Sequence, residues 1–113
     1  MGIRREEIQP DAGGFAVAMQ VYVMTVKLYA PWVHSLKEKR SIVKGLQSRL
    51  RNTYNVSVIE SGAQDIHQTI VLSIAYLADN KSIADSIHES ICSFIESNTD
   101  AEIMGIRVEA CLF

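Results

Sequence analysis

Residues 35–51 read SLKEKRSIVKGLQSRLR, and the periodicity of this stretch decides the fold. Ser35 and Glu38 stand at the spacing of a capping box, in which the hydroxyl and the carboxylate satisfy backbone N–H groups that a helix leaves open at its start. Leu36, Val43, Leu46 and Leu50 then recur at helical spacing and form one apolar stripe. A long amphipathic helix here separates two segments of a different character. Gln20 to Tyr29, ended by Pro31, is β-branched, aromatic or apolar on both faces and suits a central strand. Asn55 to Glu60 reads as a short second strand, followed by the turn-forming SGAQD at 61–65.

The pattern then repeats. Gln68 to Leu77 is a strand apolar on both faces. Ser82 with Asp85 has the spacing of a second capping box, opening a helix whose stripe is Ile83, Ile87, Ile91, Phe94 and Ile95 and which ends near Asn98. Ile103 to Phe113 supplies the last strand, where Ile106, Val108, Ala110 and Leu112 alternate with Arg107 and Glu109. The order β-α-β-β-α-β predicts an α+β, ferredoxin-like sandwich, with a four-stranded antiparallel sheet and both helices on one face. The first and third strands should be central. Val21, Val23, Val71 and Ala75 would then compete for the uncovered face of the sheet, an apolar surface that suits a homodimer or a docked partner.

The remaining composition narrows the class. A chain of 113 residues with 48% hydrophobic and 21% charged residues has the size and balance of one globular domain. Residues 1–18 mix charges with Pro10 and Gly13-Gly14 and read as a flexible leader, which leaves 19–113 as a single domain. The apolar run from Phe15 to Val26 is interrupted by Gln20 and is too short to span a bilayer, so no membrane is expected and the location is read as cytoplasmic. Cys92 and Cys111 are far apart in sequence, in apolar patterns, and read as buried free thiols.

Catalytic and metal chemistry find little support. His34, His67 and His88 fall on separate elements without ligand spacing, so no metal and no cofactor are expected. Asp65 and His67 could form an acid-base pair near Glu60, but no nucleophile accompanies them and no catalytic residues are assigned. The phosphate-cradling glycine loops, the GXXG clamp of KH domains and the paired strand aromatics of RRM domains are missing from the sequence. Tyr22 and Tyr76 are read as packing residues.

Charge is the informative exception. The chain carries a formal net charge of −2, yet six of its eleven basic residues lie between 37 and 51, beside a single acid, Glu38. At about 100° per residue, Lys37, Arg40 and Lys44 fall within about 60° of one another, and Arg51 returns to the same side. Lys39 points into the apolar arc, where its stem is expected to snorkel and leave the ammonium in water. Cations at a helix N-terminus oppose the macrodipole, which suggests a use outside folding. Lys37, Lys39, Arg40, Lys44, Arg49 and Arg51 are therefore the candidate contacts for a polyanion, phosphates of RNA being the natural case.

The blocks SLKEKRSIV and RLRNTYNVSVIES, then QDIHQ and FIES, resemble the YlxP-like family, small bacterial proteins catalogued as a domain of unknown function. The resemblance runs from about Met19 to the C-terminus. It rests on Ser35, Leu36, Lys37, Lys39 and Arg40, on Arg49, Leu50, Arg51, Asn55, Val56 and Glu60, and on Asp65 and Gln68. His67 stands where the family typically has a tryptophan. The resemblance implies the ferredoxin-like fold reached above and a role beside the small ribosomal subunit, with rRNA as partner. The expectation is a non-enzymatic RNA- or ribosome-associated protein acting in small-subunit maturation. The alternative is a dimeric structural or regulatory module that binds a protein or small molecule through its open sheet face.

Overall fold

The structure, a computed structural model, describes residues 18–112, so nearly all of the expected leader lies outside the described residues, as does Phe113. The elements are β1 (Gln20–Tyr29), α1 (Leu36–Thr53), β2 (Ser57–Gly62), β3 (Thr69–Ala78), α2 (Lys81–Asn98) and β4 (Glu102–Leu112). They form one antiparallel sheet in the order β2-β3-β1-β4, a ferredoxin-like α+β fold with β1 and β3 central as expected.

Alternation along the central strands sets the layers. Tyr22, Met24, Val26 and Leu28 of β1, with Ile70, Leu72, Ile74 and Tyr76 of β3, are buried on one face. Against them lie Val43, Leu46 and Leu50 of α1 and Ala84, Ile91 and Ile95 of α2. Tyr22 and Tyr76 are cross-strand partners on that face, with stacked rings 5.6 Å apart. Their role is packing, and truncating one of the fully buried leucines would cost about 2–5 kcal/mol.

The open face carries Val21, Val23, Val71 and Ala75 as expected, together with Leu77. A polar row crosses it, in which Ser73 Oγ lies 3.0 Å from Thr25 Oγ1 and donates to Ser61 Oγ at 2.7 Å.

Several local expectations are corrected. The N-cap of α2 is Asn80, whose side chain accepts from the Ile83 N–H at 3.0 Å, so the Ser82–Asp85 box is not formed; Asp85 instead pairs with Lys81. With the helix beginning at Lys81, its inward face takes Ala84 and leaves Ile83 exposed. Strand β2 begins at Ser57 rather than Asn55, because α1 continues to Thr53 and the next residues close its end. Cys111 is exposed and Cys92 half-buried, so the thiols do not share the buried environment expected of them. The largest departure concerns β4. Val108 and Ile106 sit opposite Met24 and Val26, on the core side of the sheet, yet both are about 41% exposed because neither helix reaches over the last strand.

Candidate functional site

The start of α1 is built as the sequence implies, and the construction disposes of its one acid. Ser35 is the N-cap and its hydroxyl accepts from the Glu38 N–H at 3.1 Å. The Glu38 carboxylate turns back to accept from the His34 N–H at 2.8 Å, one residue ahead of the cap. Glu38 is thus directed toward the helix start. Lys37, Arg40 and Lys44 remain exposed, and none makes an ion pair with another described residue.

The other three cations of the run have structural partners. Lys39 is 1% exposed, and its ammonium donates to the carbonyls of Ala63 at 2.5 Å and Ile66 at 2.7 Å while lying 2.9 Å from Glu60 Oε2. The two carbonyls take two of its three N–H bonds, and the Glu60 carboxylate supplies the opposite charge at ion-pair distance, its Oε2 buried without a hydrogen bond of its own among the described residues. The expectation that Lys39 keeps its ammonium in water is therefore overturned: the β2–β3 connection closes over it, and the charge is engaged inside the protein rather than displayed on the helix surface. Arg49 donates to the Asn98 carbonyl at 3.2 Å, which places a cation at the C-terminal end of α2, where the helix dipole favours one. Arg51, although exposed, donates to the Val58 carbonyl of edge strand β2 at 3.3 Å.

Lys39 organises more than its own burial. Ala63 has φ +54°, a left-handed conformation unusual for a residue with a Cβ, and its carbonyl is one of the Lys39 acceptors. From the far end of the same connection, Gln68 Nε2 donates to the carbonyls of Pro31 at 2.9 Å and Val33 at 3.3 Å. The Gln68 carbonyl in turn accepts from the Ala30 N–H at 2.8 Å. The bonded pair flanks Trp32, the only tryptophan in the chain, which is 40% exposed just before α1. Sequence reasoning passed over Trp32. The signal available was its place between Pro31 and the capping serine, where a large ring has little core to join.

Asp65 and His67 are both exposed in this connection, and Glu60, the third member of the weighed acid-base group, is paired with Lys39. Among the described residues no group of three or more His, Cys, Asp or Glu side chains is arranged to hold a metal ion. No helix among them is long and apolar enough to cross a membrane.

A concavity of about 580 Å³ opens at the C-terminal end of α1, between Tyr54, Val56, Tyr76 and Ile87. The Tyr76 hydroxyl is buried there without an acceptor among the described residues. Burial raises its pKa above the ordinary tyrosine value, and the neighbouring Tyr22 and Asp85 act in the same direction. Burial likewise pushes the Cys92 thiol up, assisted by Glu96 and Glu89. Cys92 Sγ lies 3.8 Å from His88 Nε2, and a thiol held in its protonated form is a poor nucleophile.

Fold and face together define a small ferredoxin-like protein with a cationic first helix, whose flanking loops are braced by a buried lysine and a glutamine. Residues 21–108 match the family described as "Protein of unknown function (DUF503)", and the chain belongs to that family. A relative from Bacillus subtilis (strain 168), named "Uncharacterized protein YlxP", is 33% identical over 75 residues, covering 66% of this chain and 82% of the relative. Among solved structures, "De novo designed protein Foldit4" aligns with a TM-score of 0.45 at 12% identity, covering 82% of this chain and 96% of that one.

Proposed function

We propose that the protein is a non-enzymatic RNA-binding protein of the cytoplasm that acts in maturation of the small ribosomal subunit, with the exposed side of α1 against phosphates. The observation that carries the RNA contact is the state of Lys37, Arg40 and Lys44. They share one side of the helix, stay exposed, and have no carboxylate neighbour in an ion pair, because Glu38 is engaged in the cap. A face with no local neutralisation, on a chain of net negative charge, favours a ligand that brings its own anions. Arg51 and Arg49 flank this surface while holding backbone carbonyls, and Lys39 supports it from inside. The ribosomal part of the reading rests on the resemblance drawn from the sequence blocks.

The test is binding of purified small subunits over a salt series by the wild type and by Lys37→Glu/Arg40→Glu/Lys44→Glu. Three phosphate contacts should give a slope of log K against log salt of about −2 to −3, lost in the variant. Equal and weak binding by both proteins, or no salt dependence, would overturn the proposal. A second reading, a module that binds a protein or small molecule through the open sheet face, is favoured by a shallow depression of about 340 Å³ there, lined by Thr25, Lys27, Val71 and Arg107. That reading requires the charge-reversed protein to behave as the wild type does.

A further inference from the structure

The two edges of the sheet are treated differently by the sequence. Strand β2 has six residues, an irregular register between Glu60 and Gly62, and Arg51 bonded to its Val58 carbonyl. Short length, bulging and a basic side chain are the usual means by which a sheet edge is protected from pairing with another chain. Strand β4 is neither short nor bulged over most of its course, and its central basic residue, Arg107, is balanced by Glu109 on the same strand. It is the longest strand, at 11 residues, and its one irregularity lies near its start, opposite Lys27 and Leu28. From Gly105 to Leu112 it pairs regularly with β1 and contains neither proline nor lysine. Its other edge pairs with no described strand, and its core-side residues Ile106 and Val108 are left uncovered.

We infer that β4 is a homodimer interface, pairing antiparallel with β4 of a second copy about a two-fold axis at Val108. The register follows from the charges. Keeping the helices of both copies on one side of the joined sheet requires odd residues to face odd and even to face even. An axis at residue 107 would set Arg107 against its own copy, and an axis at 109 would set Glu109 against its own. Axes at 106 or 110 leave both charges facing uncharged positions or the chain end. Only an axis at 108 brings Arg107 opposite the partner's Glu109 and Glu109 opposite the partner's Arg107, a self-complementary arrangement of the kind a two-fold interface demands. Within one copy these side chains already pair at 3.1 Å on an exposed surface, so each is positioned to take a cross-strand partner. On the core side, Val108 meets its copy and Ile106 meets the partner's Ala110, which covers apolar surface that the helices leave open. The interface joins two four-stranded sheets into one of eight strands and leaves the α1 stripe free.

The test is sedimentation equilibrium of the full chain. The wild type should dimerise. Arg107→Glu and Glu109→Arg each create two like-charge cross-strand pairs per dimer and should weaken association by roughly tenfold or more. The double swap Arg107→Glu/Glu109→Arg should restore it. Mixing the two single variants should also restore it, since every cross-strand pair in the mixed dimer is again opposite in sign. Both residues are exposed, so folding is checked by circular dichroism and is expected to persist. As an independent reading of the register, Val108→Cys should oxidise to a covalent dimer, since facing residues lie at a Cα separation that a disulfide spans. The native Cys111 should not crosslink, because the two copies of it stand six residues out of register on each strand, roughly 20 Å apart. A wild type that stays monomeric, a dimer indifferent to both single variants, or ready crosslinking through Cys111 would each overturn the inference.

Discussion

Lys39 and the trio Lys37, Arg40 and Lys44 come from the same eight residues and have opposite fates. Lys39 is enclosed, with two carbonyl acceptors and the Glu60 carboxylate within 2.9 Å, while its neighbours stand in solvent without an ion pair among the described residues. The difference is an angle. Lys39 lies within the arc of Val43, Leu46 and Leu50, so the helix rotation that buries those side chains carries the lysine inward, beneath the β2–β3 connection. Its neighbours point the other way. A basic run therefore contains two kinds of lysine, one that holds the protein together and one that is available to a ligand, and residue type alone does not separate them.

The sharpest way to break this comparison is to remove the buried cation. Lys39→Met keeps the length of the stem but leaves the carbonyls of Ala63 and Ile66 without their donor and the Glu60 carboxylate without its opposite charge. Breaking one partner of a buried ion pair costs about 3–5 kcal/mol, and urea unfolding should show a loss of that size. In the double variant Lys39→Met/Glu60→Leu the stranded charge is gone, so the combined loss should be smaller than the sum of the two single losses, a coupling that the mutant cycle measures directly. A loss below 1 kcal/mol for Lys39→Met would place the ammonium in water after all and put Lys39 back with its neighbours.

The fold was legible in the sequence because it rests on alternation and caps, and these are local. Ser35 and the apolar stripe of α1, together with the two-sided strands β1 and β3, suffice for the element order and the central positions. The cap of α2 was misread because two residue patterns, Asn80 and Ser82, both offer a capping side chain, and only the strand end at Ala78 decides between them. The exposure of β4 was not legible, since alternation shows which residues share a face but not whether a helix extends over it. The site was half legible. Clustering of the cations is a sequence property, whereas the burial of Lys39 depends on a loop 24 to 27 residues further on. Its angular position was the one local clue, with Glu60 as the distant acid that completes it.

A smaller effect is expected where the brace reaches Trp32. Gln68→Ala removes two donated hydrogen bonds, to Pro31 and Val33, worth about 1–2 kcal/mol together. Because Trp32 is the only tryptophan, its fluorescence anisotropy reports on this loop alone and should fall in the variant as the ring gains motion on the nanosecond scale. An unchanged anisotropy would mean that the Pro31 turn is rigid without Gln68, and that Lys39 and Gln68 do not work as one brace.

The smallest effect is the most informative about the trio. Lys37 is the second residue of α1, where the helix dipole disfavours a cation, and its side chain has no described ion-pair partner to offset that cost. Lys37→Glu should therefore stabilise the protein by about 0.3–1 kcal/mol at low ionic strength, through the dipole and a new three-residue spacing to Arg40, with the gain shrinking as salt is added. The same substitution should weaken polyanion binding. A surface residue whose replacement improves folding and harms binding is one the fold does not need, and Lys39→Met should move stability the other way. If Lys37→Glu instead destabilised the chain, Lys37 would belong with Lys39 as a structural cation, and the exposed face of α1 would lose its argument as a binding surface.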